Sequence, residues 1–311
     1  MKETCIIYGG GGFIGSHIVD DLLKHNIKVT VFDKLYSSKR NVKHILNKIE
    51  FIEGDFNNRQ DIKDSLRNKD YVIHLVSSTI PADSNLNPQY DTETNLISTL
   101  NLLDECTNNK IKKVIFLSSG GTIYGLPIKL PVTEDHPTNP TCSYGIIKLT
   151  IEKYLSLYKI LKGLDYRILR FSNPFGERQN PGIGQGLIVT LLYKIKKEQA
   201  IVIWGDGNVV RDYFYIKDGV KSIYLSIKDK SKYSIFNISS GKGLSINKIL
   251  EKFRKVLKLD FDVKYTAARK FDVPVNILDN KRASRILGWK PATNFDEALT
   301  KTWDYITKND A

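Results

Sequence analysis

The chain has 311 residues, 41% of them hydrophobic and 26% charged, a length sufficient for one large or two medium-sized domains. Because no apolar run approaches about 18 residues, we expect no membrane-spanning helix, and three scattered cysteines are too few for a disulfide framework or a zinc site. The formal net charge is +13, but the lysines are spread along the whole chain. We therefore expect a basic surface or a pocket for a small phosphate ligand rather than a nucleic-acid partner.

The N-terminal sequence indicates a cytoplasmic protein. The segment MKETCIIYGG runs straight into a strand-like stretch. It lacks the longer apolar region and the small-residue cleavage site of a signal peptide.

Apolar, β-rich runs alternate with helical stretches through the first half of the chain. This alternation is typical of a parallel sheet with helices on both faces, and runs that are apolar nearly throughout are typical of strands buried on both sides. We predict strands at 4–9, 28–33, 50–55, 70–76, 112–119 and 166–172, and helices near 13–25, 59–68, 88–109 and 143–162.

The pattern changes after residue 172, where Gly and Pro become frequent. We predict a Rossmann-type, doubly wound α/β fold with a smaller, interleaved C-terminal substrate domain at the carboxyl edge of the sheet. The predicted domains are 1–172, which binds the cofactor and to which segments near 205–240 return, and 173–311. The predicted elements of the second half are helices near 187–198, 216–228, 245–258, 281–287 and 295–308, a strand at 201–204 and a loop at 205–215.

A glycine-rich turn follows the first predicted strand. Gly9, Gly12 and Gly15 form a G-x-x-G-x-x-G pattern that leads into a helix. The first glycine permits a tight turn, the second lets the backbone approach a pyrophosphate, and the third allows the helix to pack closely, while the helix N-terminus favours the anion. The alternative is a structural turn that binds no ligand.

Asp33 ends the second predicted strand, 18 residues after Gly15. An acid there accepts hydrogen bonds from the adenosine ribose and repels a 2′-phosphate, so NAD is favoured over NADP. Lys34, Lys39 and Arg40 lie nearby and weaken that preference. To the predicted NAD site we also assign Phe13, Ile14, Lys34, Ser38, Asp55, Phe56, Leu75, Asn95 and Ser118.

Three polar residues are expected near this edge, and two of them have an alternative reading. Asp55 could reach the adenine amino group, with Phe56 beside it. His74 is a satisfied polar group in the sheet or a catalyst. Asn95 holds a backbone carbonyl near the cleft, or it is solvated.

Tyr144 and Lys148 stand one helical turn apart, with Glu152 a turn further on. They are either an ordinary surface stripe with a weak Lys148–Glu152 pair or an acid–base pair. A phenol has a pKa of about 10, and action near neutrality needs a fall of ~3 units, or ~4 kcal/mol. A positive charge at about 4 Å and an effective dielectric near 20 supplies roughly that amount. With NAD bound, the acid–base reading is favoured.

The chain resembles the extended short-chain dehydrogenases/reductases, and among them the nucleotide-sugar 4-epimerases of the UDP-glucose/UDP-galactose type. The resemblance covers nearly the whole chain. It rests on the segments GGGGFIGSH (9–17), FDKLYSSKR (32–40), EGDF (53–56), NLISTLNLL (95–103), SSGGTIYG (118–125), SYGIIK (143–148), LRFSNPFG (169–176) and RDYFYIKD (211–218).

The resemblance implies how the reaction proceeds. Tyr144 would remove the proton of the sugar 4-hydroxyl while hydride passes from C4 to NAD. The 4-keto sugar would then turn over in the pocket and receive the hydride on its other face. Lys148 would hold the nicotinamide ribose and lower the pKa of Tyr144.

One departure from the family pattern concerns the strand-end motif, where the family usually has Ser or Thr at the position of Gly120. Ser119 or Thr122 takes over that hydroxyl's role, or the tyrosine acts alone. A 4,6-dehydratase would need an Asp-Glu pair directly after this position, where the chain has Gly121 and Thr122. A second departure is Ile147, where a small residue usually precedes the lysine; we have no functional account of it.

The resemblance also implies a nucleotide-sugar site. Asn173 would contact the phosphates or sugar, Arg211 and Arg269 would bind the diphosphate, and Gln185 would lie in a loop around the nucleotide. Two arginines from distant segments suit bidentate binding of a pyrophosphate, although salt bridges to Asp212 and Asp272 are the alternative. Trp204 lies beside the base or is buried. Asn276 leaves more room at the sugar than an aromatic would, which suggests an N-acetylated sugar.

The leading hypothesis is an NAD-dependent nucleotide-sugar 4-epimerase acting on a UDP-hexose or UDP-N-acetylhexosamine. The alternative is a nucleotide-sugar 4-ketoreductase on the same fold, and a third reading is a non-enzymatic NAD sensor. The family forms homodimers through a four-helix bundle, so we expect a homodimer. Apolar positions on the two expected interface helices are Leu96, Leu100, Leu103, Ile151, Leu155 and Tyr158.

Overall fold

The computed structural model describes residues 2–35, 39–81, 83–267 and 273–309. Its strands are β1 Thr4–Tyr8, β2 Lys28–Asp33, β3 Glu50–Glu53, β4 Tyr71–His74, β5 Lys113–Ser119, β6 Tyr166–Phe171, β7 Asn173–Phe175, β8 Ile201–Trp204, β9 Val210–Tyr215, β10 Ile235–Ile238, β11 Gly243–Ser245, β12 Val263–Thr266 and β13 Val275–Asn276. Its α-helices are α1 Phe13–Lys24, α2 Arg59–Ser65, α3 Pro88–Asp91, α4 Ser98–Asn108, α5 Ser143–Lys162, α6 Leu187–Lys196, α7 Ile216–Lys228, α8 Ile246–Leu257 and α9 Phe295–Lys308.

Shorter helical turns connect these elements. The segments Lys39–Lys48 and Pro181–Ile183 are 3₁₀ helices, and the segments Thr92–Ile97 and Ala283–Leu287 are π-helical. The helix expected over 88–109 therefore consists of α3, a π-helical turn and α4. None of the helices in the described ranges is long and apolar enough to cross a membrane.

Seven strands form one parallel sheet in the order β10-β6-β5-β4-β1-β2-β3. Side chains alternate between its faces, as β1 illustrates: Ile7 packs with Ile18 of α1 on one face, and Ile6 packs with Leu102 of α4 on the other. Helices α1 and α7 cover the first face, and α2, α4 and α5 cover the second. The predicted doubly wound α/β fold is confirmed.

The remaining strands lie outside this sheet. β9 pairs with β7, β11 and β13, and β8 pairs with β12. The prediction of a loop over 205–215 is wrong for Val210–Tyr215, which is β9. Its neighbours in the sheet come from distant parts of the chain, so the local sequence carried little sign of this pairing.

The order of the strands places the cleft. The connections run in opposite directions from β1, toward β2 on one side and toward β4 on the other. Open α/β sheets bind ligands at such a switch point, outside the carboxyl ends of the strands. Parts of the second half of the chain return to the seven-stranded sheet. Helix α7 packs on α1, and β10 joins the edge of the sheet beside β6. The division into domains at residue 172 stays a prediction.

Candidate active site

The glycine turn after β1 is built for a close backbone approach. Gly9 has a φ of +82°, in the left-handed region that favours glycine. A β-carbon on Gly15 would lie only 2.6 Å from Gly10 Cα, so α1 packs directly on the turn. On Gly12 a β-carbon would meet only the Gly9 carbonyl oxygen, at 3.4 Å. The turn therefore leaves room in front of the N-terminus of α1, as a bound pyrophosphate requires.

Asp33 is fastened to this turn. Its Oδ2 accepts a hydrogen bond from the Gly11 amide at 2.8 Å, and its Oδ1 accepts from the Lys34 amide at 2.9 Å. Burial raises the pKa of this carboxyl, and the two amide donors oppose that effect. The acid that we assigned to the adenosine ribose thus has a fixed position beside the glycine turn. The Asp33 carboxylate beside the turn and the open space at Gly12 fit a dinucleotide.

The other predicted cofactor residues surround the same edge of the sheet. Phe13 and Ile14 form the first turn of α1 and are half-buried, and Leu75 lies against Gly9. Asp55 is exposed, and its Oδ1 accepts from the Asn57 amide. Phe56 instead packs in the core against the rings of Tyr8 and His74. Ser38 lies outside the described residues.

His74 is hydrogen-bonded in the sheet through Nε2 only, and its buried Nδ1 has no hydrogen-bond partner among the described residues. Its Nε2 lies 2.8 Å from the Thr99 hydroxyl. That hydroxyl gives its own proton to the Asn95 carbonyl, so Nε2 of His74 is the donor. Burial and the charge of Lys148 hold the pKa of His74 well below its usual value, which keeps the ring neutral.

The side chain of Asn95 does not hold a backbone carbonyl, so that prediction is wrong. Its Oδ1 accepts from the backbone amide of Ser78 at 2.9 Å, and its Nδ2 donates to Asp91 at 2.8 Å. Asn95 is buried, which also excludes the solvated alternative. It ties the segment after β4 to the start of the helical region that follows.

Tyr144 and Lys148 lie on α5, at the edge where β5 ends. Lys148 is 5% exposed, and its Nζ donates to the Leu117 carbonyl of β5 at 3.2 Å. The same Nζ lies 4.8 Å from the Phe116 ring and 5.6 Å from the Tyr144 ring. The reading of these residues as an exposed surface stripe is therefore wrong for the lysine, which faces the sheet.

The electrostatics of the pair differ from the expectation. Burial lowers the pKa of Lys148 to about 8, against the charges of Asp91 and Glu152, which raise it. Burial also raises the pKa of Tyr144, and the nearby Ser119 hydroxyl opposes this. Burial therefore outweighs the lowering of the Tyr144 pKa that we expected from Lys148. A drop in the tyrosine pKa needs further positive charge.

The strand-end motif explains the missing hydroxyl at Gly120. A β-carbon there would collide with the terminal Cδ1 of the buried Leu278, so a side chain at this position requires Leu278 to move. A hydrogen bond from the Ser119 side chain lowers the pKa of Tyr144. Thr122 lies against Gly145, and its hydroxyl has no hydrogen-bond partner among the described residues.

A buried ion pair lies one helical turn beyond Lys148, and sequence reasoning missed it. Arg170 of β6 makes a two-pronged contact with Glu152 of α5, at 2.6 and 3.1 Å. Ser118, a predicted cofactor residue, donates its hydroxyl proton to the same carboxylate at 2.6 Å. The two arginines of this otherwise apolar strand, Arg167 and Arg170, were the signal, since charged groups are buried only when they are paired.

Two of the predicted substrate residues, Asn173 and Arg211, donate hydrogen bonds to backbone carbonyls. Asn173 donates to the Asp212 carbonyl at 3.0 Å, and Arg211 donates to the Val273 carbonyl at 2.6 Å. Gln185 is exposed, and Trp204 is 47% exposed, so the alternative of a buried tryptophan is wrong. Arg269 lies outside the described residues.

Asn276 of β13 approaches the strand-end motif directly. It is buried, and its Nδ2 donates to the Gly120 carbonyl at 3.3 Å. The Asp212 carboxylate, which accepts from Ser240 at 2.6 Å and from Leu278 at 3.4 Å, helps to hold this segment. The wall beside Ser119 is therefore contributed by the C-terminal part of the chain.

The fit between Gly120 and Leu278 can be tested by substitution. Gly120→Ser should lower the free energy of unfolding by about 1–3 kcal/mol, because the new side chain overpacks the contact. In the Gly120→Ser/Leu278→Ala double variant the serine should cost much less than in the wild type. Urea denaturation of the four proteins of this cycle measures the coupling.

Gly121→Ser is the matched control, because a β-carbon at Gly121 would meet only the Ser119 hydroxyl, at 3.8 Å. We expect this variant to be close to wild type in stability. Equal stability of the Gly120 and Gly121 variants would contradict the steric explanation.

Comparison with known proteins agrees with this geometry. Residues 5–239 match the model of the NAD dependent epimerase/dehydratase family. A UDP-glucose 4-epimerase of Lactobacillus helveticus is 31% identical over 319 residues, covering 96% of each chain. A dTDP-4-dehydro-6-deoxyglucose reductase of Escherichia coli is 33% identical over 316 residues, also covering 96% of each.

Two solved structures superpose over nearly the full length. The Thermotoga maritima UDP-glucose 4-epimerase with UDP-glucose has a TM-score of 0.92 at 34% identity, covering 98% of this chain and 99% of that one. The Methanobrevibacter ruminantium UDP-N-acetylglucosamine 4-epimerase in complex with UDP-N-acetylmuramic acid has a TM-score of 0.92 at 33% identity, covering 99% of both. With the glycine turn, Asp33 and the Tyr144–Lys148 pair at one sheet edge, the chain belongs to the NAD-dependent epimerase/dehydratase family.

Proposed function

We propose that the protein is an NAD-dependent nucleotide-sugar 4-epimerase. The observation that carries the proposal is that α5 brings Tyr144 and Lys148 to the same carboxyl edge as the glycine turn and Asp33. A nucleotide with a redox-active ring, held at that edge, would place its ring beside a tyrosine. Relatives and solved structures named as 4-epimerases support this reading over the whole length of the chain.

The residues divide the work of one reversible oxidation. NAD supplies the acceptor and donor for the hydrogen carried by C4 of the sugar. Tyr144 would take the proton of the 4-hydroxyl and later return it to the same oxygen. Because C4 would also regain the hydride that NAD accepted, no net oxidation occurs. Lys148 binds and orients the cofactor, and Ser119 bonds the sugar oxygen or the phenol.

The charges at the site suit this cycle. Burial raises the pKa of Tyr144, and the positive charge of an oxidised nicotinamide favours the phenolate just when a base is needed. With a pKa of about 8, the side-chain amine of Lys148 is mostly protonated at neutral pH. Tyr144 is thus activated chiefly when the cofactor is in the state that can oxidise the sugar.

The substrate class is supported by the wall of the sugar site. Asn276 and Gly120 are both small, and they are joined by a hydrogen bond beside Ser119. We propose that this wall admits an N-acetyl group as well as a hydroxyl. The named relatives that act on UDP-glucose and UDP-N-acetylglucosamine support UDP as the nucleotide.

A nucleotide-sugar 4-ketoreductase is the second candidate. Gly120 favours it, because a reductase can work with fewer hydroxyl groups at the sugar oxygen. The 33% identity to an E. coli dTDP-4-dehydro-6-deoxyglucose reductase supports it as well. A reductase consumes reduced nicotinamide stoichiometrically, whereas an epimerase needs none. The strand-end residues Gly121 and Thr122 provide no acid pair for a dehydratase.

Product analysis decides between these functions. We expect the purified protein to interconvert UDP-glucose with UDP-galactose, or their N-acetyl forms, without added NADH. Tyr144→Phe should reduce the rate by roughly 10²- to 10⁴-fold, because it removes the proton acceptor, while bound NAD is retained. Chromatography of the sugar nucleotides and absorbance of released NAD measure both quantities.

Other outcomes would point elsewhere. Stoichiometric oxidation of NADH by a dTDP-4-keto-6-deoxy sugar, with no epimerisation of any of the four UDP-sugars, would establish the reductase. An epimerase whose Tyr144→Phe variant turns over at the wild-type rate would contradict the assigned role of the tyrosine.

We also propose that the protein is a homodimer, although three of the six expected interface residues need correction. Leu103, Ile151 and Leu155 are fully buried and fill the core beneath the helices. An exposed apolar stripe lies instead on the outer faces of the same helical region. It consists of Ile97, Ile146, Leu157, Ile160 and Leu161, with Ile160 at 77% exposure.

The dimer proposal is tested by charge placed on this stripe. Light scattering at micromolar concentration should give twice the mass of one chain for the wild type. Leu157→Glu/Ile160→Glu should give one chain mass, because burying two carboxylates is unfavourable. Leu126→Glu changes an exposed leucine outside these helices and should remain dimeric. A monomeric wild type would refute the proposal.

The expected cytoplasmic location, without nucleic-acid or membrane partners, also stays a proposal. It is supported by the dispersed lysines and by the metabolite class of the substrate. Fractionation of the producing cells, with recovery of the protein in the membrane pellet, would contradict it.

A further inference from the structure

We propose that Asp91 is a positioning residue for the reacting tyrosine, acting by fixing the first turn of α5. Its kinetic consequences rest on the proposed epimerase function, whereas its structural consequence does not. Asp91 is the last residue of α3 and is 1% exposed. Neither the cofactor site nor the substrate site described above uses it.

The Asp91 carboxylate joins three separate segments of the chain. Its Oδ2 accepts from the Ser143 hydroxyl at 2.6 Å. Its Oδ1 accepts from the Thr79 hydroxyl at 2.7 Å and from Asn95 Nδ2 at 2.8 Å. All three donors are neutral. A buried carboxylate held by neutral donors costs more than a neutral side chain in the same place, which argues for a task that needs the charge or the bonds.

The start of α5 depends on side chains from outside the helix. The N-cap residue, Cys142, makes no capping hydrogen bond with its side chain. The first amides of a helix have no partners within it. Here the Ser143 amide donates to Asn85 Oδ1 at 2.8 Å, and the Tyr144 amide donates to the Ser84 hydroxyl at 3.1 Å. The first turn of α5 is thus held by hydrogen bonds to Ser84, Asn85 and Asp91, which all precede α4.

Tyr144 is the second residue of α5, so its phenol moves with this turn. A displacement of about 1 Å at a reacting group can cost roughly 100-fold in rate. Asn95 links the same carboxylate to the Ser78 amide just beyond β4. Asp91 therefore couples the position of the tyrosine to the strand ends that face the cofactor.

The charge of Asp91 also acts on the reacting pair. It raises the pKa of Lys148 more than Glu152 does, and it contributes to the raised pKa of Tyr144. The other titratable groups near the pair come from four places. They are Glu152 on α5, Cys142 just before α5, His74 on β4 and Arg170 on β6. His74 is neutral, and Arg170 is paired with Glu152. Asp91 is thus a negative charge at the site without a cation in hydrogen-bond contact among the described residues.

The variants separate geometry from charge. Asp91→Ala removes the bonds and the charge, Asp91→Asn removes the charge and keeps one acceptor oxygen, and Ser143→Ala removes a single bond. We expect kcat to fall roughly 100-fold in Asp91→Ala, less than that in Asp91→Asn, and roughly 10-fold in Ser143→Ala. The KM for the UDP-sugar should change less than threefold in all three variants. For Asp91→Asn the acid limb of the pH profile of kcat should move to lower pH, because loss of the negative charge favours the phenolate.

Asp104→Asn is the matched control. This aspartate of α4 also accepts from a hydroxyl of α5, that of Tyr158 at 2.6 Å, but 14 residues or roughly 21 Å along the helix from Tyr144. We expect wild-type kcat and pH dependence for this variant. Equal losses in Asp104→Asn and Asp91→Asn would show a general loosening of α5 and overturn the proposal.

A structural readout keeps the proposal testable independently of the reaction. In Asp91→Ala and in Ser143→Ala, amide hydrogen exchange should quicken by roughly tenfold or more in peptides covering 141–147, and stay unchanged in those covering 155–162. Unchanged exchange at 141–147 would overturn the proposal even if the enzyme proves to be a reductase. Absence of epimerisation by the wild type with faster exchange at 141–147 would instead refute only the proposed function.

Discussion

The ion pair between Arg170 and Glu152 is the contact on which the candidate site depends. It joins α5 to β6 inside the protein, one helical turn from Lys148, and the Ser118 hydroxyl and the Tyr124 hydroxyl complete its hydrogen bonds. Such a pair offsets its desolvation only when its geometry and bonds are complete, and removal of one partner costs about 3–5 kcal/mol. The pair fixes the depth and rotation of α5, and hence the direction in which Tyr144 and Lys148 point.

The same network extends through β10 to the segment that carries Leu278. Tyr124 donates to Asn237 of β10 at 2.7 Å, and the Asn237 amide donates to Glu134 at 2.9 Å. Asn237 also donates to the Val132 carbonyl, and Val132 pairs with the segment that carries Leu278. The cofactor edge and the sugar wall are thus parts of one bonded unit. The first turn of α5 is held separately, by Asp91 and its neighbours, so the helix is fixed at two points.

Sequence reasoning succeeded where the information is local. The bounds of α5 and α7 agree with the predicted helices, because apolar periodicity and flanking residues determine them. The glycine turn and Asp33 also occupy their predicted places. The reasoning failed where distant segments meet. Strand β9 was taken for a loop, and the contact between Gly120 and Leu278 was not foreseen.

The central claim is that Tyr144 exchanges a proton with the sugar oxygen while the hydrogen on C4 is never released to water. Turnover of UDP-galactose, or of its N-acetyl form, in D₂O followed by proton NMR tests this most directly. The account predicts that the 4-epimer forms with its C4 proton fully retained and without consumption of added NADH. Deuterium at C4 of the product would contradict it, since the carbon-bound hydrogen would then have exchanged with solvent.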